Sequence, residues 1–178
     1  MSVELPVSQS LQDAHRHAVA ELNRWRGHCI ETLARLEEAA TLTIAALPLP
    51  PGEKQPTVFG ARMKVLKTVL QGCPHKKAPQ LISDLDELQS DLNWRNRIVH
   101  AASSVYVDKQ GGWIWHYRFR PSKAGAALEA GVLDQKTAIA LENRLSSRVQ
   151  SLMRRLDDVR ADAAQSKPTQ TPTGQPSH

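Results

Sequence analysis

A chain of 178 residues, 40% hydrophobic but only 4% aromatic and rich in Leu and Ala, is long enough to bury a core and favours helices over strands. Its net charge of +5 permits an acidic partner such as RNA without requiring one. Two cysteines, Cys29 and Cys73, exclude a disulfide framework. MSVELPVSQS lacks the order of a secretory signal, and ATLTIAALPLPP is too short to span a bilayer, so a cytoplasmic protein with no membrane partner is expected.

Residues 1–8 read as a loose arm, with Ser10 and Asp13 suited to cap a helix. From Leu11 to about Leu47, apolar residues recur at helical spacing (Leu11, Ala14, Ala18, Leu22, Trp25, Cys29, Leu33, Leu36, Ala40), with Gly27 a place to bend. Pro48-Leu49-Pro50-Pro51-Gly52 breaks that helix, and residues 48–56 form a loop. Thr57 is placed to cap a second helix, VFGARMKVLKTVL, closed by Gly72 and Pro74. A third runs from about Pro79 to Ala102. Val105–Val107, Asp108–Gly112 and Trp113–Arg120 read as a β-hairpin, bounded at about 103–120. The Ala- and Gly-rich stretch Pro121–Val132 reads as a linker. Asp134 then caps a final helix carrying Ala138, Leu141, Leu145, Val149, Leu152, Leu156 and Val159 on one face. The polar segment 164–178 is expected to be a disordered tail. The expected class is all-α, a bundle of about four helices with an inserted β-hairpin, in one domain over 1–163.

The third helix carries the chemistry. Leu81, Leu85, Leu88, Leu92 and Val99 form its stripe, and Arg95 fills the gap before Val99. Arg95 and Asn96 fall on opposite margins of the stripe, with His100 further round on the Asn96 side. A guanidinium beside an apolar seam is costly unless paired or used. Cutting RNA without metal needs a base for the 2′-OH, a donor to the scissile phosphate and an acid for the leaving 5′-oxygen. Histidine serves as acid or base, arginine grips phosphate, and asparagine hydrogen-bonds either partner. Five residues of helix set Arg95 and His100 roughly 140° apart, so one helix struggles to aim both at one phosphate. Two copies across a two-fold axis would bring both pairs to a shared cleft. The structural reading is plainer: Asp91 pairs with Arg95 one turn away, and His100 complements the helix C-terminus.

The pattern Arg95-Asn96-x-x-x-His100 at the end of a core helix resembles the signature of the HEPN superfamily, small helical bundles of which many are metal-independent endoribonucleases. The resemblance implies a homodimer with its site at the interface. It assigns Arg95, Asn96 and His100 as catalytic, with no metal and no cofactor. It also implies RNA (tRNA or mRNA) as substrate, a toxin or defence setting and, for a toxin, an antitoxin protein. Arg97 has no fixed counterpart in the pattern, so its role is open; it is expected among the substrate-binding residues, where it would add positive potential. The alternative is a catalytically inactive HEPN-like module that binds RNA or a protein partner. A third reading is a scaffold whose last helix pairs with a partner.

In the hairpin, Trp113, Trp115, Tyr117 and Phe119 share one face, and Ile114, His116, Arg118 and Arg120 the other. The favoured reading lays the aromatic face on the helical core and solvates the basic face. The functional one stacks bases on Trp113, Trp115 and Tyr117 while His116, Arg118, Arg120 and Lys123 bind the RNA backbone. His28-Cys29 and Cys73-Pro74-His75 lack metal-ligand spacing. Arg62, Lys64, Lys67, Lys76 and Lys77 cluster around the second helix, where plain solubility outweighs an electrostatic approach to RNA.

Overall fold

The computed structural model describes residues 7–54, 56–121 and 125–165, with side chains described from residue 10. The expected arm before residue 7, Lys123 and the tail from residue 166 lie outside the described residues. Among those described are four helices, α1 (Val7–Ala46), α2 (Phe59–Gln71), α3 (Ala78–His100) and α4 (Gln135–Gln165). Three strands, β1 (Ala102–Val107), β2 (Trp113–Phe119) and β3 (Glu129–Asp134), form one antiparallel sheet in the order β1-β2-β3. The chain groups into two compact units. One holds the described residues up to Leu36 and Asp86–Ser151; the other holds Glu37–Leu85 and the described residues from Leu152.

In the first unit, the stripe of α1 buries Ala18, Leu22, Trp25, Cys29, Leu33 and Leu36, whereas Leu11 at its start is 66% exposed. Trp25 lies 5.8 Å from Trp113 and 6.0 Å from Trp115, ring centre to ring centre. Tilted and edge-on pairs of this kind add about 0.5–1.5 kcal/mol each beyond their buried area. The Trp25 indole N–H donates to the Ala138 carbonyl at 2.8 Å, fixing α1 against the first turn of α4. Trp113, Trp115 and Leu133 are the buried face of the sheet.

The hairpin turn is built on Asp108. Its Oδ1 accepts from the backbone N–H of Gln110 and of Gly112, both at 2.8 Å, and Gly111 takes φ +85°, where a side chain would be strained. The segment expected to be a linker contains β3. Tyr117 sits opposite Gly131, and a Cβ at Gly131 would collide with the tyrosine ring. Glycine, which weakens a strand read alone, here makes room for the cross-strand aromatic. Asp134 caps α4 as expected, its Oδ1 accepting from the Thr137 N–H at 2.8 Å and its Oδ2 from the Thr137 hydroxyl at 3.0 Å.

The second unit buries Ala39, Ala40, Thr43 and Ile44 of α1, Met63, Leu66, Val69 and Leu70 of α2, Leu81 and Leu85 of α3, and Leu152, Leu156 and Val159 of α4. Two caps differ from expectation. Ser10 lies inside α1, which is already helical at Val7. The N-cap of α2 is Val58, with no side-chain bond, and Arg62 reaches back to the carbonyls of Pro56 at 3.1 Å and Thr57 at 3.4 Å. α4 continues through Ala164 and Gln165, two residues beyond the expected boundary.

Candidate functional site

The motif lies in the last turns of α3, in the first unit. Asn93, Asn96, Arg97 and His100, spaced three, one and three residues apart, fall on one helix face. With Phe119, Arg120, Pro121 and Glu129 they line a cavity of about 560 Å³. Asn96 and His100 are exposed and Arg97 is half-buried. Two of the three motif residues therefore share a polar cavity, together with Arg97 and Arg120. Arg95 is half-buried and is not part of its lining.

Arg97 is held on two sides. Its Nε and Nη2 both donate to Glu129 Oε2, at 3.0 and 2.8 Å, and its guanidinium lies over the Trp94 ring at 5.0 Å. A phosphate entering the cavity meets a fork already bonded to a carboxylate, with Arg120 exposed beside it. Glu129 belongs to β3, so this partner was hidden with that strand.

Two groups hold the end of α3: sequence reasoning missed the first, and named the second only as a partner of Arg95. Arg26 of α1 donates from Nε (3.0 Å) and Nη2 (2.5 Å) to the carbonyl of Ile98, and lies 5.7 Å from the Trp115 ring centre. It satisfies a C-terminal carbonyl that α3 cannot satisfy itself. Burial lowers the pKa of Arg26 from its ordinary value. The available signal was a guanidinium next to Trp25 in a helix stripe. The second group is Asp91, 1% exposed, which accepts from Arg144 Nη2 at 2.7 Å and Arg148 Nη1 at 2.9 Å. These bonds join α3 to α4. Val99, expected in the buried stripe, is 37% exposed, and Ile98 at 1% takes its place.

On the sheet, the solvated-face reading holds for His116 and Arg118, which are exposed and outside the cavity lining. Trp113 and Trp115 are 2% and 0% exposed, so they cannot stack on bases. Tyr117 is half-buried between Trp94 and Trp115, at 5.7 and 5.0 Å.

The second unit has a cavity of its own, about 630 Å³, lined mostly by apolar residues with Cys73, His75 and Asp162. His75 Nε2 meets Asp162 at 3.0 Å and its Nδ1 accepts the Lys77 N–H at 3.1 Å. Both ring nitrogens are engaged, leaving no lone pair to activate the Cys73 thiol. Within the basic cluster, Arg62 pairs with Glu37 and Lys77 with Asp158, each at 2.5 Å. Among the described residues no group of three His, Cys, Asp or Glu is placed to hold a metal ion, and no helix is long and apolar enough to cross a membrane. No family model, curated protein or solved structure matches this chain.

Proposed function

We propose that this chain is a metal-independent endoribonuclease of HEPN type, acting as a homodimer on cytoplasmic RNA. One observation carries the reading: Asn96 and His100 share one open polar cavity with Arg97 and Arg120. In the proposed reaction the 2′-oxygen of a ribose attacks the adjacent phosphorus and the P–O5′ bond breaks. One proton leaves the 2′-OH and one reaches the departing 5′-oxygen; His100 handles one of these transfers and solvent water the other. Arg120 grips the phosphate, and Arg97 joins it once Glu129 is displaced. Asn96 orients the phosphate or the imidazole. Arg95 of a second copy completes the site. The products are a 2′,3′-cyclic phosphate and a 5′-hydroxyl. A toxin or defence role, with an antitoxin protein as inhibitor, belongs to this reading.

A second reading, a catalytically inactive module binding RNA or a protein partner, draws on two facts. Arg95 stands outside the cavity and the Arg97 fork is bonded to Glu129. Cleavage of a labelled single-stranded RNA in EDTA by wild type, Arg95→Ala and His100→Ala separates the two. Cutting by the wild type alone, with cyclic phosphate ends, supports the enzyme. Three folded but inert proteins across varied RNAs, tRNA included, support the module.

A further inference from the structure

The outer face of the sheet is separate from the cavity lining. Strand register places Ala102, Ser104 and Tyr106 of β1, Ile114, His116 and Arg118 of β2, and Ala130 and Val132 of β3 on that face. It is opposite the face that buries Trp113, Trp115 and Leu133. Tyr106 is 52% exposed and Val132 is 60% exposed. The Tyr106 ring centre lies 4.7 Å from that of His116. Two flat rings in contact, on an exposed sheet, with an arginine two residues further along β2, form a surface of defined chemistry. Tyr106 leaves about half of its surface uncovered, and a ring presented on a sheet offers a π-face to another flat group. The register also places Asp134 on this face, opposite Ile114, where its carboxylate is committed to Thr137.

We propose that Tyr106 and His116 form a stacking platform for unpaired bases of single-stranded RNA, with Arg118 binding the backbone. This rests on the RNA reading above and names its substrate class: single-stranded, because a duplex hides the faces of its bases. The platform and the cavity are linked along β2. Arg120 lines that cavity, and His116 lies four residues back along the same chain, about 13 Å at strand rise. A strand whose phosphate enters beside His100 passes Arg118 and reaches the paired rings. Sequence reasoning favoured the tryptophans as core, as they are, weighed stacking on Trp113, Trp115 and Tyr117 only as the alternative, and did not consider Tyr106.

The test measures binding of a fluorescein-labelled twelve-nucleotide RNA of mixed sequence, as a single strand and as a blunt duplex. All proteins carry His100→Ala so that binding is read without cleavage. Tyr106→Ala is expected to weaken single-strand binding about tenfold, the loss typical of one stacked base. Tyr106→Phe and Tyr106→Trp keep it, and duplex binding moves less than twofold. Ultraviolet crosslinking of the single strand, mapped by mass spectrometry, places the adduct on Tyr106 or His116. A Tyr106→Ala protein that binds the single strand as its parent does, or that loses duplex binding equally, overturns the platform. If cleavage by the wild type persists in that case, the ribonuclease reading stands and only the platform falls. If neither RNA is bound at all, both fall.

Discussion

Asp91 gives the sharpest test of how the site is held. Its carboxylate, 1% exposed, accepts from Arg144 and Arg148, whose side chains are 51% and 38% exposed. Each hydrogen bond to a charged group is worth about 1.5–3 kcal/mol. Removing the carboxylate does not cost the sum, because two half-exposed guanidinia turn back to water. A net loss of about 2–3 kcal/mol follows for Asp91→Ala, below the 3–5 kcal/mol of a fully buried broken pair. For a chain of this length that lowers Tm by roughly 4–12 °C. Arg148 also approaches Glu87 at 3.9 Å, but that carboxylate is 63% exposed, so Glu87→Ala costs about 0.5 kcal/mol or less. Urea and thermal unfolding of Asp91→Ala, Arg148→Ala and the double variant close the cycle. Melting of Asp91→Ala within about 1 °C of wild type, or strict additivity with Arg148→Ala, would refute the buried pairing.

The two cysteines should react differently. Burial first, and the nearby charge of Glu142 second, push the Cys29 thiol up to about 12, whereas Cys73 is half-buried. A thiol reagent at pH 8 should label one cysteine quickly in the folded protein and both after denaturation; fast labelling of Cys29 would contradict its packing. Bonds from the Thr137 backbone, then from its hydroxyl, hold the Asp134 carboxyl below its ordinary value of 3.8. A depressed carboxyl stabilises the fold above its unfolded pKa and loses that contribution as pH falls through the folded value. Asp134→Asn should therefore melt lower than wild type at pH 7, with the gap closing below pH 3.8; a gap constant from pH 7 to pH 2.5 counts against the cap. Glu129→Gln frees the Arg97 fork, so single-stranded RNA should bind several-fold tighter. Its salt slope should steepen by about 0.7, one added phosphate contact. Unchanged affinity means the fork does not meet RNA.

The helices were legible because each carries its own signal. The stripe of α1 from Ala18, the prolines after it, the face of α4 and the Asp134 cap are local patterns, and all appear in the fold. What escaped depends on partners distant in sequence. β3 carries Gly131 because Tyr117 fills the space over it, and nothing near residue 131 announces a ring fourteen positions earlier. Glu129 was lost with it, and so was the bond that occupies Arg97. The exchange of Val99 for Ile98 has a similar origin. Ile98 lies about 100° round the helix from Leu81, so the buried face turns along α3. The turn follows the sheet and Arg26, which meet only the C-terminal end.

Helix spacing alone separates Arg95 from the Asn96–His100 face, and the separation makes a shared site testable. If Arg95 acts on the cavity of its own protomer, a mixture of Arg95→Ala and His100→Ala proteins has no complete site in any pairing. If Arg95 acts across a two-fold axis, each mixed dimer has one complete site: Arg95 from the His100→Ala protomer and His100 from the Arg95→Ala protomer. Random exchange makes half the dimers mixed, each with one of two sites intact, so activity returns to about a quarter of wild type. The measurement is cleavage of labelled single-stranded RNA before and after co-refolding equal amounts of two separately inactive variants. Recovery requires a shared site. Failure to recover, with mixed dimers present by mass, means that Arg95 serves the His100 of its own chain.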